Sequence, residues 1–289
     1  DLAFRLRQLG YRAYYAPGAV IEHQGGATHG VVEGEGLKRH QGLNRVVFRE
    51  RWQDVLQREQ LPPGQHPFLA RSRAQMRVSV LVLDAAPPRP DRDAGSRAVW
   101  HAMQTLRRLD ADVRFWSHAI VEDALASELL AIHGYELFDE ARAGCVFAAW
   151  WRDHAPYFDM VVVNRPAIAS AHLPTLRRHG DPVIVYYGHD IHQLRLQREA
   201  QLSRDPATHA AAERVGTVER AAWLRSDVIL YPTDEETAIV TSFLRDQGHP
   251  GPCAMTAPLL VMDGDPRPPD RVGATSLSER RDLLFVGGF

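Results

Sequence analysis

The sequence predicts a doubly wound α/β protein built on a parallel sheet. Two observations carry that prediction. From residue 76 onward, short runs such as "RVSVLVLDA", "DMVVVN", "PVIVYY" and "DVILY" are apolar at successive positions. Strands covered on both faces read that way, whereas half-solvated strands alternate. These runs also take turns with helix-length segments, which provide the crossovers that parallel strands require.

The elements follow in order. Before residue 60 the chain reads as a helix, two strands, a loop and a helix. Phe4, Leu6 and Leu9 make an apolar face that Gly10 ends. "YRAYYA" and "AVIEH" are short strands around Pro17-Gly18, followed by the glycine-rich "QGGATHGVVEGEG". Residues 37–56 are helical, with Leu43, Val47 and Val55 among the apolar positions. A helix and two strands cannot close a core by themselves. Residues 58–75, "REQLPPGQHPFLARSRAQ", have a linker's composition.

Beyond the linker the expected order is strand "RVSVLVLDA", helix "GSRAVWHAMQTLRRL", strand "DVRFW", helix "VEDALASELLAI", a strand near "YELF" and one helix through "GCVFAAWWRDH". Then come strand "DMVVVN", helix "HLPTLRRH", strand "PVIVYY", two helices over 194–202 and 208–224, strand "DVILY" and helix "EETAIVTSFLRD". A strand-like "CAMTA" precedes a Pro- and Asp-rich loop. After it, "RRDLLFVGGF" reads as a fresh buried strand entering a tight glycine turn. The expected organisation is 1–57 as part of one domain, 58–75 as linker, 76–281 as the Rossmann-like domain, and 282–289 as the first strand of a further α/β domain.

Composition bounds the function. Hydrophobic residues make up 45% and charged residues 24%, as in ordinary globular domains. No apolar run approaches the roughly 18–20 residues that span a bilayer. Residues 1–77 hold 12 Lys+Arg against 7 Asp+Glu, and the rest hold 22 against 29. That basic excess is too small and scattered for nucleic acid, but it suits a phosphate or nucleotide site. Cys145 and Cys253 make neither a disulfide framework nor a metal knuckle, which favours a reduced, cytoplasmic setting.

Three stretches can carry chemistry. In "PPRPDRDAGSR", residues 87–97, Asp93 or Ser96 can cap the following helix and Gly95 lets backbone N–H groups approach an anion. Arg92 and Arg97 add charge. Ala85-Ala86-Pro87-Pro88 stands where a dinucleotide fingerprint would place its glycines, which disfavours NAD. An ordinary helix cap with a solvated loop is the bland alternative. Asp91-Arg92-Asp93 and Asp263-Gly264-Asp265 have the spacing of a metal-binding acidic pair, a spacing common by chance. In "YYGHDIHQLRLQRE" a buried strand delivers His189 and Asp190 to the rim of the sheet. His189 can donate a hydrogen bond to a sugar hydroxyl or phosphate, and Asp190 can orient it. Here too a capped helix beside an exposed histidine is the alternative. His23 closes a strand ahead of the glycine loop, a position for a metal or phosphate, while Lys38, Arg39 and Arg45 can face a diphosphate. Trp150-Trp151 reads as core or groove wall.

"DLAFRLRQLGYRAYYAPGAVIEHQGGAT…GLKRHQGLNRVVFRERW" resembles the C-terminal end of a family-two, GT-A-type glycosyltransferase. "RPDRDAGSR", "FDMVVVNRP", "GHDIHQLRLQRE" and "RDLLFVGGF", in that order, resemble the N-terminal domain of a family-four, GT-B-type glycosyltransferase. The resemblance implies a bacterial tandem enzyme that transfers sugar from a nucleotide-sugar donor to a lipid-linked or polysaccharide acceptor in O-antigen or capsule assembly. It implies substrate contacts at Asp93, Gly95, Ser96, Arg97, His189 and Asp190, and donor-phosphate contacts at Lys38 and Arg39. A divalent cation (Mg or Mn) at His23 is implied for the GT-A half alone, with no cofactor for the GT-B half. It further implies peripheral contact with the inner face of the plasma membrane through the acceptor. "YYGHD" departs from the acidic or Thr lead-in usual before this His-Asp pair. The reading from another class is a non-catalytic module that binds glycan or phosphate.

Overall fold

The structure, a computed structural model, describes residues 1–11, 19–20, 39–61, 64, 67–70, 78–248 and 252–258. Outside these fall His23, Lys38, most of the two strands expected before residue 24, the acidic pair at 263–265 and the closing strand at 283–286. The chain divides into two compact units, Asp1–Arg77 and Val78–Phe289.

In the first unit, helix α1 (Leu2–Gln8) and helix α2 (Arg39–Glu59) meet through aromatic rings. Phe4 lies edge-on to Phe48 at 5.1 Å and tilted to Trp52 at the same distance. The Trp52 indole N–H donates to Asp1 Oδ1 at 2.8 Å, so the buried ring keeps its polar atom satisfied. Gly10 ends the α1 turn at φ +84°, as its sequence position predicts. The 58–75 stretch holds a short helix, α3 (Pro67–Ala70).

The second unit is the predicted sheet. Its strands are β1 (Ser79–Asp84), β2 (Asp112–Ser117), β3 (Glu136–Phe138), β4 (Met160–Asn164), β5 (Val183–Tyr187), β6 (Val228–Tyr231) and β7 (Cys253–Thr256). They lie in the order β3-β2-β1-β4-β5-β6-β7, and every described pairing is parallel. The chain therefore builds outward from β1 to one edge, then returns to β1 and builds the other way. That is the Rossmann order, with its reversal between β1 and β4.

Helices cover both faces: α4 (Ala94–Arg108), α5 (Ala124–Ile132), α6 (Glu140–Ala143), α7 (Phe147–His154), α8 (Pro166–His179), α9 (His192–Ser203), α10 (Pro206–Arg225) and α11 (Asp234–Asp246). Strand β1 shows why the apolar runs do not alternate. Val80 and Val82 pack with Val99, Trp100 and Met103 of α4 in one core cluster, while Leu81 and Leu83, on the opposite face, are equally buried. Trp116 of β2, Trp150 and Trp151 of α7 and Phe147 form an aromatic layer, with Trp116 at 5.0 Å from Phe147 and 4.9 Å from Trp150. The tryptophan pair is core.

Two elements differ from expectation. The helix predicted through "GCVFAAWWRDH" begins only at Phe147, as α7, and an unpredicted short helix, α6, precedes it and ends at Gly144, which takes the left-handed conformation at φ +70°. Helix α8 starts six residues before "HLPTLRRH", at Pro166, whose fixed φ suits a first helical position.

Candidate functional site

The strand order reverses between β1 and β4, and in an open parallel sheet the ligand crevice lies beyond the carboxyl ends of the strands at such a reversal. Four segments supply its residues: the β1 terminus at Asp84, the α4 start at 93–97, the β4 terminus at 164–165, and 188–192 after β5.

Asp93 caps α4. Its Oδ1 accepts from the Ser96 backbone N–H at 2.7 Å and its Oδ2 from the Ser96 hydroxyl at 2.8 Å. Partial desolvation pushes the Asp93 carboxyl up, but these bonds outweigh it and hold the group below its ordinary range. Gly95 lies close under Arg165: a Cβ there would meet Arg165 Nη2 at 3.1 Å, so the guanidinium would have to give by a few tenths of an ångström. Arg97 is exposed and its Nε–H donates to the Pro90 carbonyl at 3.3 Å. Asp91 is engaged by both sides of the Arg89 guanidinium, which also donates to Asp123 Oδ2 at 2.7 Å. The acidic pair 91/93 is thus spent on a loop latch and a helix cap. Among the described residues no group of three or more His, Cys, Asp or Glu is placed to hold a metal.

His189 is 8% exposed and sits at φ +64°, in the left-handed region that histidine enters more readily than most residues. Its ring stacks on Tyr187 at 4.5 Å. Nε2 lies 3.1 Å from Asn164 Oδ1, and Nδ1 is buried with no protein partner. Burial, helped by the Arg165 charge, lowers its pKa to about 4, so the ring is neutral at pH 7. Asp190 faces the other way. It accepts from Arg195 Nε at 2.9 Å and pairs with His192 Nε2 at 2.9 Å.

The loop is anchored from behind. Glu219 of α10, fully buried, accepts from the His192 and Gln193 backbone N–H groups at 2.8 and 2.9 Å. Glu236 of α11 accepts from the Ile191 N–H at 3.1 Å. A carboxylate of the protein itself therefore occupies the start of α9, where a ligand phosphate would otherwise bind. Burial pushes the Glu219 carboxyl up, against the pull of those two N–H bonds.

Sequence reasoning missed three residues here: Asp84, Asn164 and Arg165. Asp84 ends β1 buried, 3.1 Å from Arg165 Nε, and desolvation raises its carboxyl despite that cation. Asn164 ends β4 buried, and its Nδ2–H donates to the Leu83 carbonyl at 2.9 Å. Arg165 holds φ +64°, ψ 149°, a region almost reserved for glycine, at a cost of about 1–3 kcal/mol. Its backbone N–H donates to Tyr187 at 3.2 Å and its carbonyl accepts from Ala169 N–H at 3.1 Å. The signal was a polar residue closing an apolar run, in "VLVLD" and in "VVVNRP". Of the positions implied for phosphate, Lys38 is outside the described residues and Arg39 is the first residue of α2.

No family model and no curated protein matches the chain. Among solved structures, a UGT transferase from Siraitia grosvenorii in complex with UDP aligns over 65% of this chain and 53% of its own, at 10% identity and TM-score 0.39. A wide-type short-chain dehydrogenase/reductase from Veillonella parvula in complex with NADP aligns over 63% of this chain and 96% of its own, at 11% identity and TM-score 0.35. A short-chain dehydrogenase/reductase family oxidoreductase from Burkholderia thailandensis aligns over 59% and 76%, at 15% identity and TM-score 0.29. The fold assignment rests on this chain's own strand order.

Proposed function

We propose that residues 78–258 are the acceptor-side domain of a glycosyltransferase that moves a sugar from a nucleotide-sugar donor to a growing bacterial O-antigen or capsule. The observation that carries this reading is convergence. "RPDRDAGSR", "VVVNRP" and "GHDIHQ", far apart in sequence and each part of the family-four resemblance, meet at the sheet's reversal point, Gly95 beside Arg165 and Asn164 beside His189. Together with Asp84 at the β1 terminus they present a neutral imidazole, a guanidinium and two carboxyl groups, a polar set that suits a hydroxyl-rich ligand. Asp93 and Gly95 shape one wall, with Ser96 tied to the cap. Arg165 and His189 supply the hydrogen-bonding groups.

The GT-A assignment for residues 1–57 rests on the sequence resemblance, as does a divalent cation at His23 with Lys38 and Arg39 toward the donor diphosphate. The same holds for retention of configuration in the GT-B half, for a cofactor-free reaction there, and for work at the inner membrane face. Among the described residues no helix is long and apolar enough to cross a membrane.

Saturation-transfer NMR on the whole chain, with nucleotide sugars, bacterial oligosaccharides and NADPH as ligands, tests the reading. Saccharide signals that disappear in His189→Ala support it. Binding of NADPH with no saccharide signal would sink it, and saccharide binding by a native protein that never transfers sugar would favour the non-catalytic module.

A further inference from the structure

Hydrogen-bond direction at the crevice can be followed atom by atom, starting from a group with a single role. The Leu83 carbonyl can only accept, so the Asn164 atom 2.9 Å from it is the amide nitrogen. Turning the amide over would set two acceptors against each other in a buried place. Asn164 Oδ1 therefore faces His189 Nε2 at 3.1 Å, and an amide oxygen can only accept. The Nε2 must carry the hydrogen. In a neutral imidazole the other nitrogen, Nδ1, then holds a lone pair. That lone pair is buried and has no protein partner. Tyr187 stacks on the ring and resists its rotation.

We propose that Asn164 is a positioning residue that locks His189 as its Nε2–H tautomer, so that Nδ1 requires a hydrogen-bond donor from the ligand. The group read at this point is a hydroxyl, not a phosphate or carboxylate oxygen, because an anion would bring a second acceptor to the lone pair. The expectation that His189 donates is thereby reversed: its one N–H is already used. Strand β4 thus sets the specificity of a residue on the β5 loop, through a chain that begins at a β1 carbonyl. The hydroxyl preference rests on the saccharide reading above; the tautomer does not.

The test uses the full chain labelled with nitrogen-15 and long-range proton–nitrogen correlation of the His189 ring, assigned with His189→Gln. At pH 7 the wild type should show a neutral ring protonated at Nε2. Asn164→Ala should give a mixture of tautomers. Asn164→Asp, nearly the same shape, cannot donate to Leu83 and should draw a second proton onto the ring. A merely structural asparagine would leave the ring's tautomer unmoved in both variants. With methyl glycosides of common hexoses as probes, binding should weaken roughly tenfold or more in Asn164→Asp, while inorganic phosphate should gain. A wild-type ring protonated at Nδ1, or a tautomer indifferent to both substitutions, overturns the proposal. The expected tautomer with no glycoside bound upholds the Asn164 assignment and removes the saccharide reading.

Discussion

Gly188 and Arg165 show how much of the site depends on backbone that ordinary residues do not tolerate. A Cβ at Gly188 would fall 2.3 Å from the Tyr231 ring, which is fully buried and held by a hydrogen bond from the Trp223 indole to its hydroxyl at 3.0 Å. Gly188→Ala should therefore cost about 1–3 kcal/mol in urea denaturation, the usual scale of overpacking. At Arg165 the strain lies in the backbone itself. Both Arg165→Gly and Arg165→Ala remove the ion pair with Asp84, so their difference isolates conformation. The glycine variant should be the more stable of the two by about 1 kcal/mol or more, against the usual order in which Ala exceeds Gly. Equal stabilities in the same denaturation series would mean that the strain is not stored there. The glycine's tight approach to an aromatic ring could not be read from "YYGHD", since Tyr231 is 43 positions away in sequence from Gly188.

At the scale of elements, side-chain caps account for where five of the described helices begin. Asp93, Asp123, Asp139, Asp205 and Thr233 each accept from a backbone N–H in the first turn of the helix they precede. Asp93→Ala should cost about 0.5–2 kcal/mol. Helix α9 is different: no adjacent side chain caps it, and Glu219 reaches in from α10 instead. Glu219→Ala leaves two half-buried N–H groups without their acceptor, and each is worth about 1–3 kcal/mol if water cannot reach it. Hydrogen exchange should locate the effect, with His192 and Gln193 losing protection before the sheet does. Uniform loss across the unit would argue against a local anchor. Adjacent caps were legible, because a cap lies a few residues from the groups it serves. The Glu219 cap was not, since it spans 27 positions to His192 and depends on how α10 packs on α9.

At the scale of the whole molecule, acid stability carries the mark of two buried histidines. Burial, with His118 facing it, lowers His172 to about 4, and His189 is lowered to about 4 as well, from an ordinary 6.5. Between those values the unfolded chain takes up protons that the folded chain refuses, so stability should fall as pH falls through that window. Asp84 and Glu219, both raised, act in the opposite sense, because their folded forms take up protons first. The contribution of His172 is isolated by substitution: between pH 6.5 and about 4.5 the wild-type Tm should drop more than that of His172→Asn. Parallel curves would contradict a neutral, buried His172. The second unit should also fold without the first, since its core is contained within the sheet and the helices on its two faces. Residues 78–258 expressed alone should unfold in one cooperative step followed by circular dichroism.

Taken by itself, the sequence determined the class of the second unit, each of its described strands, and two of the site's segments, 93–97 and 189–190. Those features are local: an apolar run, a crossover of helical length, a carboxylate ahead of a helix. Only the tertiary structure decided which strand lies beside which, and with that the meeting of Asp84, Asn164, Arg165 and His189 at the reversal between β1 and β4. Each of these four residues acquires its character from a partner more than 20 positions away. Burial sets the charge of His189, Asp84 constrains Arg165, and the Leu83 carbonyl turns the Asn164 amide. Such relations belong to the packing of strands against one another, which no short stretch of sequence contains.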